Sequence, residues 1–388
     1  VTRDSLMQTG SIGKMFTAAG VMSLVQDGKV RLTDSISTYF PGSPDWWKPI
    51  TVHHLLSHTG GVPEYTGSAS VDFRKDYSED ALIKMAQSLK PDFAPGEKWN
   101  YSNTGYVILG VLIHRVTGKF YGDYLKERIW KPNGLPTMRV ISDREVIPNR
   151  AAGYDWINGK WLNQDWVSPS LNSTADGALY ASPADFVAWD KALDAYAVLP
   201  KNLQEAMWTS ANLNDGSVTN YGYAWQVDEY LGHRFVGHGG AWQGFTTAYI
   251  RFRDAGLSVA VFTNCSGVDP NLIARGVAGR TGRVTDLEKL KPLGGDGGRL
   301  DTARQIIEDL MAGKQPTAGV AGELAALGPA MLLRSKASGA ARGPLTGFDL
   351  IYQSPTNYGV YRATFKNEVV WYKLTQDAAR RFIKVGGL

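Results

Sequence analysis

The chain has 388 residues, 43% hydrophobic and 20% charged, with a formal net charge of +4. That length exceeds one ordinary core, so a large domain plus a smaller one is expected; the charge is spread without a Lys/Arg block, which argues against nucleic acid as a partner. No apolar run long enough for a membrane-spanning helix occurs, and Cys265, the single cysteine, excludes an internal disulfide and a cysteine-based metal cluster.

In chain order, Met15, Ala18, Ala19, Met22 and Val25 recur at three- and four-residue spacing and predict an amphipathic helix over residues 14–27, stopped by Gly28, with Ser11 at its first turn. A short helix is expected from Thr51 to Leu56, another over 79–89, and two more over Thr104–Arg115 and Tyr121–Ile129. Asn103 or Thr104 is placed to cap the third of these four. Residues 141–180 read as loops with short strands, after which Ser182, Pro183 and Asp185 open a well-capped helix. Runs at 222–229, 233–237, 245–252 and 257–263 are rich in Val, Phe, Tyr and Thr, which predicts an antiparallel sheet. Helix returns over Asn271–Ala278. The Gly, Lys, Asp and Pro of residues 285–300 read as a linker, followed by a helix at 301–312, a polar Ala-rich stretch and strands near 347–353, 358–365 and 368–374. The expected domains are therefore 1–284 and 301–388. The twelve Trp and eighteen Tyr serve either a core or the lining of an open cleft.

Three motifs carry chemistry. In Ser11-Ile12-Gly13-Lys14, residues three apart share a helical face, so the Lys14 amine can reach the Ser11 oxygen. A serine hydroxyl needs such a base to become a nucleophile, and a helix start adds partial positive charge. In Tyr101-Ser102-Asn103, a phenol can shuttle a proton and an amide can hold substrate and Lys14. The plainer alternative makes Asn103 a helix cap and Tyr101 a packed aromatic. Gly237-His238-Gly239-Gly240 precedes a predicted strand. There Gly239 and Gly240 would let substrate approach the strand edge, and His238 would supply polarity or positive charge. The Ala241 amide would join that of Ser11 as an oxyanion hole. The plainer alternative is a glycine turn beside a surface histidine.

The motifs occur in the order S-x-x-K, Y-x-N, H-x-G, accompanied by ITVHHLLSHTGGVPEY, FAPGEKWNYSNTGYVILGVLI, GALYASPADFVAWDKAL and FVGHGGAWQGFTTAYIRF. Over about residues 5–280 the chain resembles the class C β-lactamase superfamily of β-lactamases, D-alanyl-D-alanine carboxypeptidases, D-aminopeptidases and family VIII esterases. The resemblance implies an α/β (α+β) fold: an antiparallel sheet flanked by helices plus a mainly helical subdomain. Residues 300–388 look similar to the small α+β domain often appended to these hydrolases.

It further implies Ser11 as nucleophile, Lys14 as its activating amine, Tyr101 as general base and acid, Asn103 as substrate-orienting amide, and His238 in the place of the family's K-T-G lysine. The implied reaction is cofactor-free hydrolysis of an amide or ester in a small-molecule or peptide substrate. The alternatives are a β-lactamase or penicillin-binding protein, an acyltransferase, and a non-catalytic binding protein. His54 and His58, with Glu64 as a third ligand, raise a metal site, but the resemblance places that stretch in structural packing, so no metal is expected. Two departures stand out. The family usually carries a helix and two strands before the S-x-x-K, so an open sheet edge and association of copies are expected. Histidine for the K-T-G lysine favours peptidase or esterase chemistry over antibiotic hydrolysis. No secretory leader opens the sequence, although family members are commonly exported or periplasmic.

Overall fold

The computed structural model describes residues 1–66, 71–293 and 297–388. The chain divides into two compact units, Val1–Arg283 and Val284–Leu388.

The first unit opens with β1 (Met7–Gln8) and a 3-10 turn, Gly10–Ile12, that runs straight into α1 (Gly13–Gln26). Helices α2 (Val52–Leu56), α3 (Glu79–Ser88), α4 (Asn103–Thr117) and α5 (Tyr121–Leu125) follow, the last continued by a π turn at Lys126–Trp130. Then come β2 (Arg139–Val140), the hairpin β3 (Tyr154–Ile157) and β4 (Lys160–Asn163), and β5 (Leu179–Ala181). After α6 (Pro183–Asp194) and α7 (Lys201–Met207) the main sheet forms from β6 (Gln226–Tyr230), β7 (His233–Trp242), β8 (Phe245–Phe252) and β9 (Leu257–Thr263), closed by α8 (Pro270–Arg280).

The main sheet is antiparallel in the order β6-β7-β8-β9, and every residue of β8 is buried. Two-residue turns join β3 to β4 at Asn158-Gly159, β6 to β7 at Leu231-Gly232 and β7 to β8 at Gln243-Gly244, with positive φ at all six residues. That is the type I′ pattern, whose twist matches the strands it connects. Among the described residues no strand pairs with the outer edge of β9.

Helix α1 departs from the expected amphipathic helix. Every residue from Gly13 to Leu24 is buried, because α4, α5 and α7 all pack around it. Its polar groups are satisfied internally: Thr17 Oγ1 donates to Ala175 O at 2.7 Å, and Ser23 Oγ donates to Gly20 O at 2.7 Å. Gly28, at φ 68°, ends it as expected. Around α1 the core gathers Phe16, Trp47, Trp130, Trp189 and Trp225, all fully buried, so part of the tryptophan load is structural. Trp99, Trp156, Trp161 and Trp166 are exposed.

The cap of α4 also differs from expectation. Ser102, not Asn103 or Thr104, is the N-cap, its Oγ accepting the Gly105 N–H at 3.2 Å. Asn103 sits at the first helical position, which leaves its amide side chain free for other work.

In the second unit α9 (Gly297–Met311) and α10 (Pro329–Arg342) precede an antiparallel meander of β10 (Leu345–Gln353), β11 (Tyr358–Phe365), β12 (Val369–Gln376) and β13 (Phe382–Gly387). Ile306, Ile307 and Leu310 of α9 pack with Phe348, Tyr361, Leu374 and Phe382. The stretch expected as a linker is more structured than its composition implies. Val284 and Leu287 are buried, Leu293 N donates to Leu350 O at 2.7 Å, and α9 already begins at Gly297. Helix α10, which buries no residue, and strand β13 were not legible as a helix and a strand.

Candidate active site

Ser11 lies half-buried in the 3-10 turn and Lys14 is fully buried one turn on in α1. Lys14 Nζ stands 3.4 Å from Ser11 Oγ and donates to Asn103 Oδ1 at 2.6 Å and to the main-chain carbonyl of Asp176. Two acceptors thus occupy two corners of the amine, leaving its third hydrogen or lone pair to face the hydroxyl. Asn103 itself is fixed by Glu64, whose Oε2 accepts the Asn103 N–H at 2.6 Å, a carboxylate at a helix N-terminus.

Tyr101 stands beside this pair without bonding to it. Its ring centroid is 4.9 Å from Lys14 Nζ, and its buried hydroxyl has no hydrogen-bond partner among the described residues. The structure therefore places Lys14, not Tyr101, within hydrogen-bonding reach of Ser11 Oγ. The phenol belongs to an aromatic cluster, its ring 4.4 Å from that of His58, 6.0 Å from His238 and 6.5 Å from Tyr221.

His238 is buried on β7. Its Nδ1 meets the Gly239 carbonyl and so carries the proton, while Nε2 accepts the Tyr221 hydroxyl at 2.8 Å. Burial, reinforced by the nearby Lys14 charge, pulls its pKa down to about 4. Of the two contributions expected of His238, polarity or positive charge, this lowered pKa favours polarity at ordinary pH.

Strand β7 meets the Gly10–Ile12 turn that carries Ser11 at very short range. Gly10 has φ 53°, and a Cβ on it would lie 2.5 Å from Ala241 N. A Cβ on Gly240 would lie 2.1 Å from Thr9 O and 3.1 Å from Ser11 N. Thr247 Oγ1 donates to Thr9 O at 2.6 Å and pins the approach. Gly240 is thus required by protein packing, whereas the expectation was room for substrate. At Gly239 an added Cβ would face Asn271 Nδ2 at 3.2 Å. Ser11, Tyr101, His238, Gly239, Gly240 and Ala241 all line one cleft of about 610 Å³, the size of a small-molecule site.

The histidines raised as metal ligands have other partners. His54 Nδ1 accepts the Thr51 N–H at 3.1 Å in a capping box, and His58 Nδ1 accepts the Ser102 N–H at 3.2 Å. Glu64 is engaged by Asn103 and Thr66. Among the described residues no group of three or more His, Cys, Asp or Glu could hold a metal ion, and no helix is long and apolar enough to cross a membrane.

Asp176 was missed by sequence reasoning, and His58 was weighed only as a metal ligand and not as a neighbour of Tyr101. Asp176 reaches Lys14 through its main-chain carbonyl, which has no residue-type signature, and its buried carboxyl, pushed above the usual range by desolvation, accepts from Tyr65 at 3.1 Å. His58 lies in the left-handed region at φ 58°. That conformation is uncommon outside glycine and leaves no mark in composition.

A family model described as Beta-lactamase matches residues 1–282. Penicillin-binding protein 4* of Bacillus subtilis (strain 168) is 31% identical over 277 residues, covering 67% of this chain and 61% of that protein, so the chain spans about three fifths of this curated relative. The crystal structure of a D-stereospecific amidohydrolase from Streptomyces sp. aligns at 29% identity and TM-score 0.63 over 71% of this chain and 86% of the other. An octameric penicillin-binding protein homologue from Pyrococcus abyssi shares the fold over 97% of this chain and 80% of its own length, with TM-score 0.66 and 23% identity. With a family match across nearly the whole first unit and the S-x-x-K, Y-x-N and H-x-G segments converging on one cleft, the chain belongs to the beta-lactamase family.

Proposed function

We propose that this protein is a serine hydrolase that forms an acyl-enzyme on Ser11, with amides of D-amino acids or peptides as first-choice substrates, carboxyl esters second and β-lactams third. The observation that carries it is the buried Lys14 amine, held by two acceptors 3.4 Å from the Oγ of Ser11, which lines an open cleft. In its neutral form the amine takes the Ser11 proton as Oγ attacks the substrate carbonyl carbon, and the Ser11 and Ala241 amides receive the developing oxyanion. As the C–N or C–O bond breaks, Tyr101 hands a proton to the departing amine or alcohol. Water then attacks the acyl-serine and gives a proton to the Tyr101 oxygen, Lys14 returns its proton to Ser11 Oγ as the bond from the carbonyl carbon to Oγ breaks, and the acid is released. The unpartnered Tyr101 hydroxyl supports this role, because a buried phenol with no fixed partner is available to a bond that exists only during turnover. Neutral His238 supports amides over anionic β-lactams, since it offers no cation to a substrate carboxylate. The amide preference is also supported by the name of the Streptomyces relative, a D-stereospecific amidohydrolase.

Labelling with a fluorophosphonate, followed by peptide mass spectrometry, tests the reading. An adduct on Ser11 that vanishes in Ser11→Ala is expected, along with turnover of D-alanyl p-nitroanilide. A folded protein with neither adduct nor turnover would refute it. Self-association belongs to the same proposal, supported by the unpaired outer edge of β9; light scattering that finds only monomer at high concentration would remove it.

A further inference from the structure

Tyr101 stands just before α4, and the loop that follows α2 runs along this stretch of chain. His58 O accepts the Asn100 N–H at 3.0 Å and His58 Nδ1 accepts the Ser102 N–H at 3.2 Å, so one residue grips the main chain on both sides of Tyr101. Further along the same loop, Pro63 O accepts the Thr104 hydroxyl at 2.6 Å and Glu64 accepts the Asn103 N–H. The His58 and Tyr101 rings lie 4.4 Å apart, tilted at 43°. His58 is buried, and its own backbone is in the left-handed region at φ 58°. Such a conformation persists only where the surroundings hold it, and it gathers at functional sites.

Packing alone does not account for a histidine here. Its ring stands among those of Tyr101, Tyr106 and Tyr221, at 4.4, 5.1 and 4.9 Å. Because Nδ1 accepts, the neutral ring carries its hydrogen on Nε2, and that buried group has no partner among the described residues. An orphaned N–H among aromatic rings is destabilising, and a phenylalanine would be spared it. What histidine supplies instead is the Nδ1 acceptor for Ser102. Burial, with Lys14 and His238 nearby, holds its pKa well below the ordinary value, so that acceptor is present at neutral pH.

Resting on the acyl-enzyme reading above, we propose that His58 is a positioning residue for Tyr101, clamping residues 100 and 102 and backing the phenol ring so that its hydroxyl is aimed at the leaving group. Tyr101 needs such a clamp because its hydroxyl, without a partner among the described residues, does nothing to orient its own side chain. Ser102 is also the N-cap of α4, whose first residue Asn103 holds Lys14, so a disturbance at His58 has two routes to the site. The proposal commits to the first, through Tyr101, and the two are separable because only Tyr101 serves the leaving group.

The test is a double-mutant cycle. His58→Gly removes the ring and Nδ1 while suiting the left-handed backbone. On D-alanine amide, whose leaving amine needs a proton, its kcat should fall roughly tenfold to hundredfold with KM changed by less than about threefold, the effect of a misplaced group. Fluorophosphonate labelling of Ser11, in which weakly basic fluoride departs without a proton, should stay within about threefold of wild type. The same substitution made in Tyr101→Phe should lower kcat by less than about twofold, because residues acting through one group do not add. His58→Asn keeps the left-handed backbone and an acceptor but not the ring, so its loss should be smaller, roughly threefold to tenfold, and it carries the same cycle if the glycine variant does not fold. The inference is overturned if the folded variant turns over the amide within about twofold of wild type, or if the loss is as large in Tyr101→Phe as in wild type. It is equally overturned if Ser11 labelling falls in step with kcat, which would route the effect through Asn103 and Lys14. Labelling of the wild type separates the failures: an adduct with a fully additive cycle removes the clamp alone, and no adduct removes the hydrolase reading beneath it.

Discussion

Gly240→Ala tests whether the approach of β7 to the nucleophile turn sets the site. Neither Gly239 nor Gly240 has positive φ, so an alanine meets no backbone objection at either, and the effect is one of space alone. At Gly240 the new methyl would stand 2.1 Å from Thr9 O, 2.4 Å from Thr247 Oγ1 and 3.1 Å from Ser11 N. Ordinary contact needs about 3.4 Å or more, so something must yield by roughly 1 Å. Thr9 cannot yield alone: its N–H donates to Leu179 O at 2.9 Å and its carbonyl accepts from Thr247 at 2.6 Å. The shift therefore passes to Ser11 and Ala241. A misplacement of about 1 Å costs on the order of 10²-fold in rate, and loss of one oxyanion donor about 10²–10³-fold. Stability should fall by about 1–3 kcal/mol, the usual cost of overpacking. The neighbour provides the control, because Gly239→Ala meets only the end of the Asn271 side chain at 3.2 Å and next Thr247 O at 3.8 Å. Fluorophosphonate acylation rates and kcat on a D-alanyl anilide, with thermal melts of both variants, decide the matter. Gly240→Ala acylating within threefold of wild type at an unchanged Tm would show that the close approach does not hold the oxyanion geometry.

Tyr101→Phe removes a hydroxyl that has no partner, so Tm should hold or rise slightly while kcat falls about 10²–10⁴-fold; a large loss of Tm would mean the phenol is structural. Lys14→Met should abolish Ser11 labelling and leave Asn103 Oδ1 and Asp176 O unpaired, at about 1–3 kcal/mol each in denaturant unfolding. For His238 the folded pKa of about 4 lies below the ordinary 6.5, so the unfolded chain binds more protons between those values. Its contribution, about 3 kcal/mol from the size of the shift, is fully present above pH 6.5 and lost as pH falls toward 4. Buried His58 and half-buried His54 act in the same direction, with Lys14 as the neighbouring cation that opposes protonation of both His58 and His238. Urea unfolding at pH 7, 5.5 and 4 should show this slope, shallower in His238→Gln; identical slopes would refute the assignment.

What was legible in the sequence is what side chains announce. The Ser182–Asp185 cap formed as read, with Ser182 Oγ accepting the Asp185 N–H at 3.2 Å and Asp185 Oδ2 accepting the Ser182 N–H at 2.9 Å. The strands from 226 to 263 follow their β-branched and aromatic runs. Helix α1 was misread because the face expected toward solvent, Phe16, Thr17, Gly20, Val21, Ser23 and Leu24, carries apolar and small residues that are buried as well. Helix α10 buries no residue fully, and its second half, Ser335 to Ala341, is small and polar, which reads as a loop from composition.

The active site divides along the same line. In the proposed function Ser11, Lys14, Tyr101, Asn103 and His238 act through side-chain atoms, and their residue types at fixed spacings are visible before any fold is known. What holds them acts largely through the main chain: the Asp176 carbonyl on Lys14, the Thr9 carbonyl under Thr247, the Asn103 amide on Glu64, the Ser102 amide on His58. A carbonyl or amide is supplied by any residue whose backbone passes that point, so the requirement falls on geometry and leaves the residue type open. Only where the backbone must come closer than a Cβ allows does the requirement surface again as a letter, and it does so at Gly10, Gly177 and Gly240 around Ser11. Those glycines are the readable trace of an otherwise unreadable support. Alanine scanning should accordingly find Gly10 and Gly240 as costly as Asn103, and the side chain of Thr9, whose carbonyl carries the contact, nearly dispensable for catalysis.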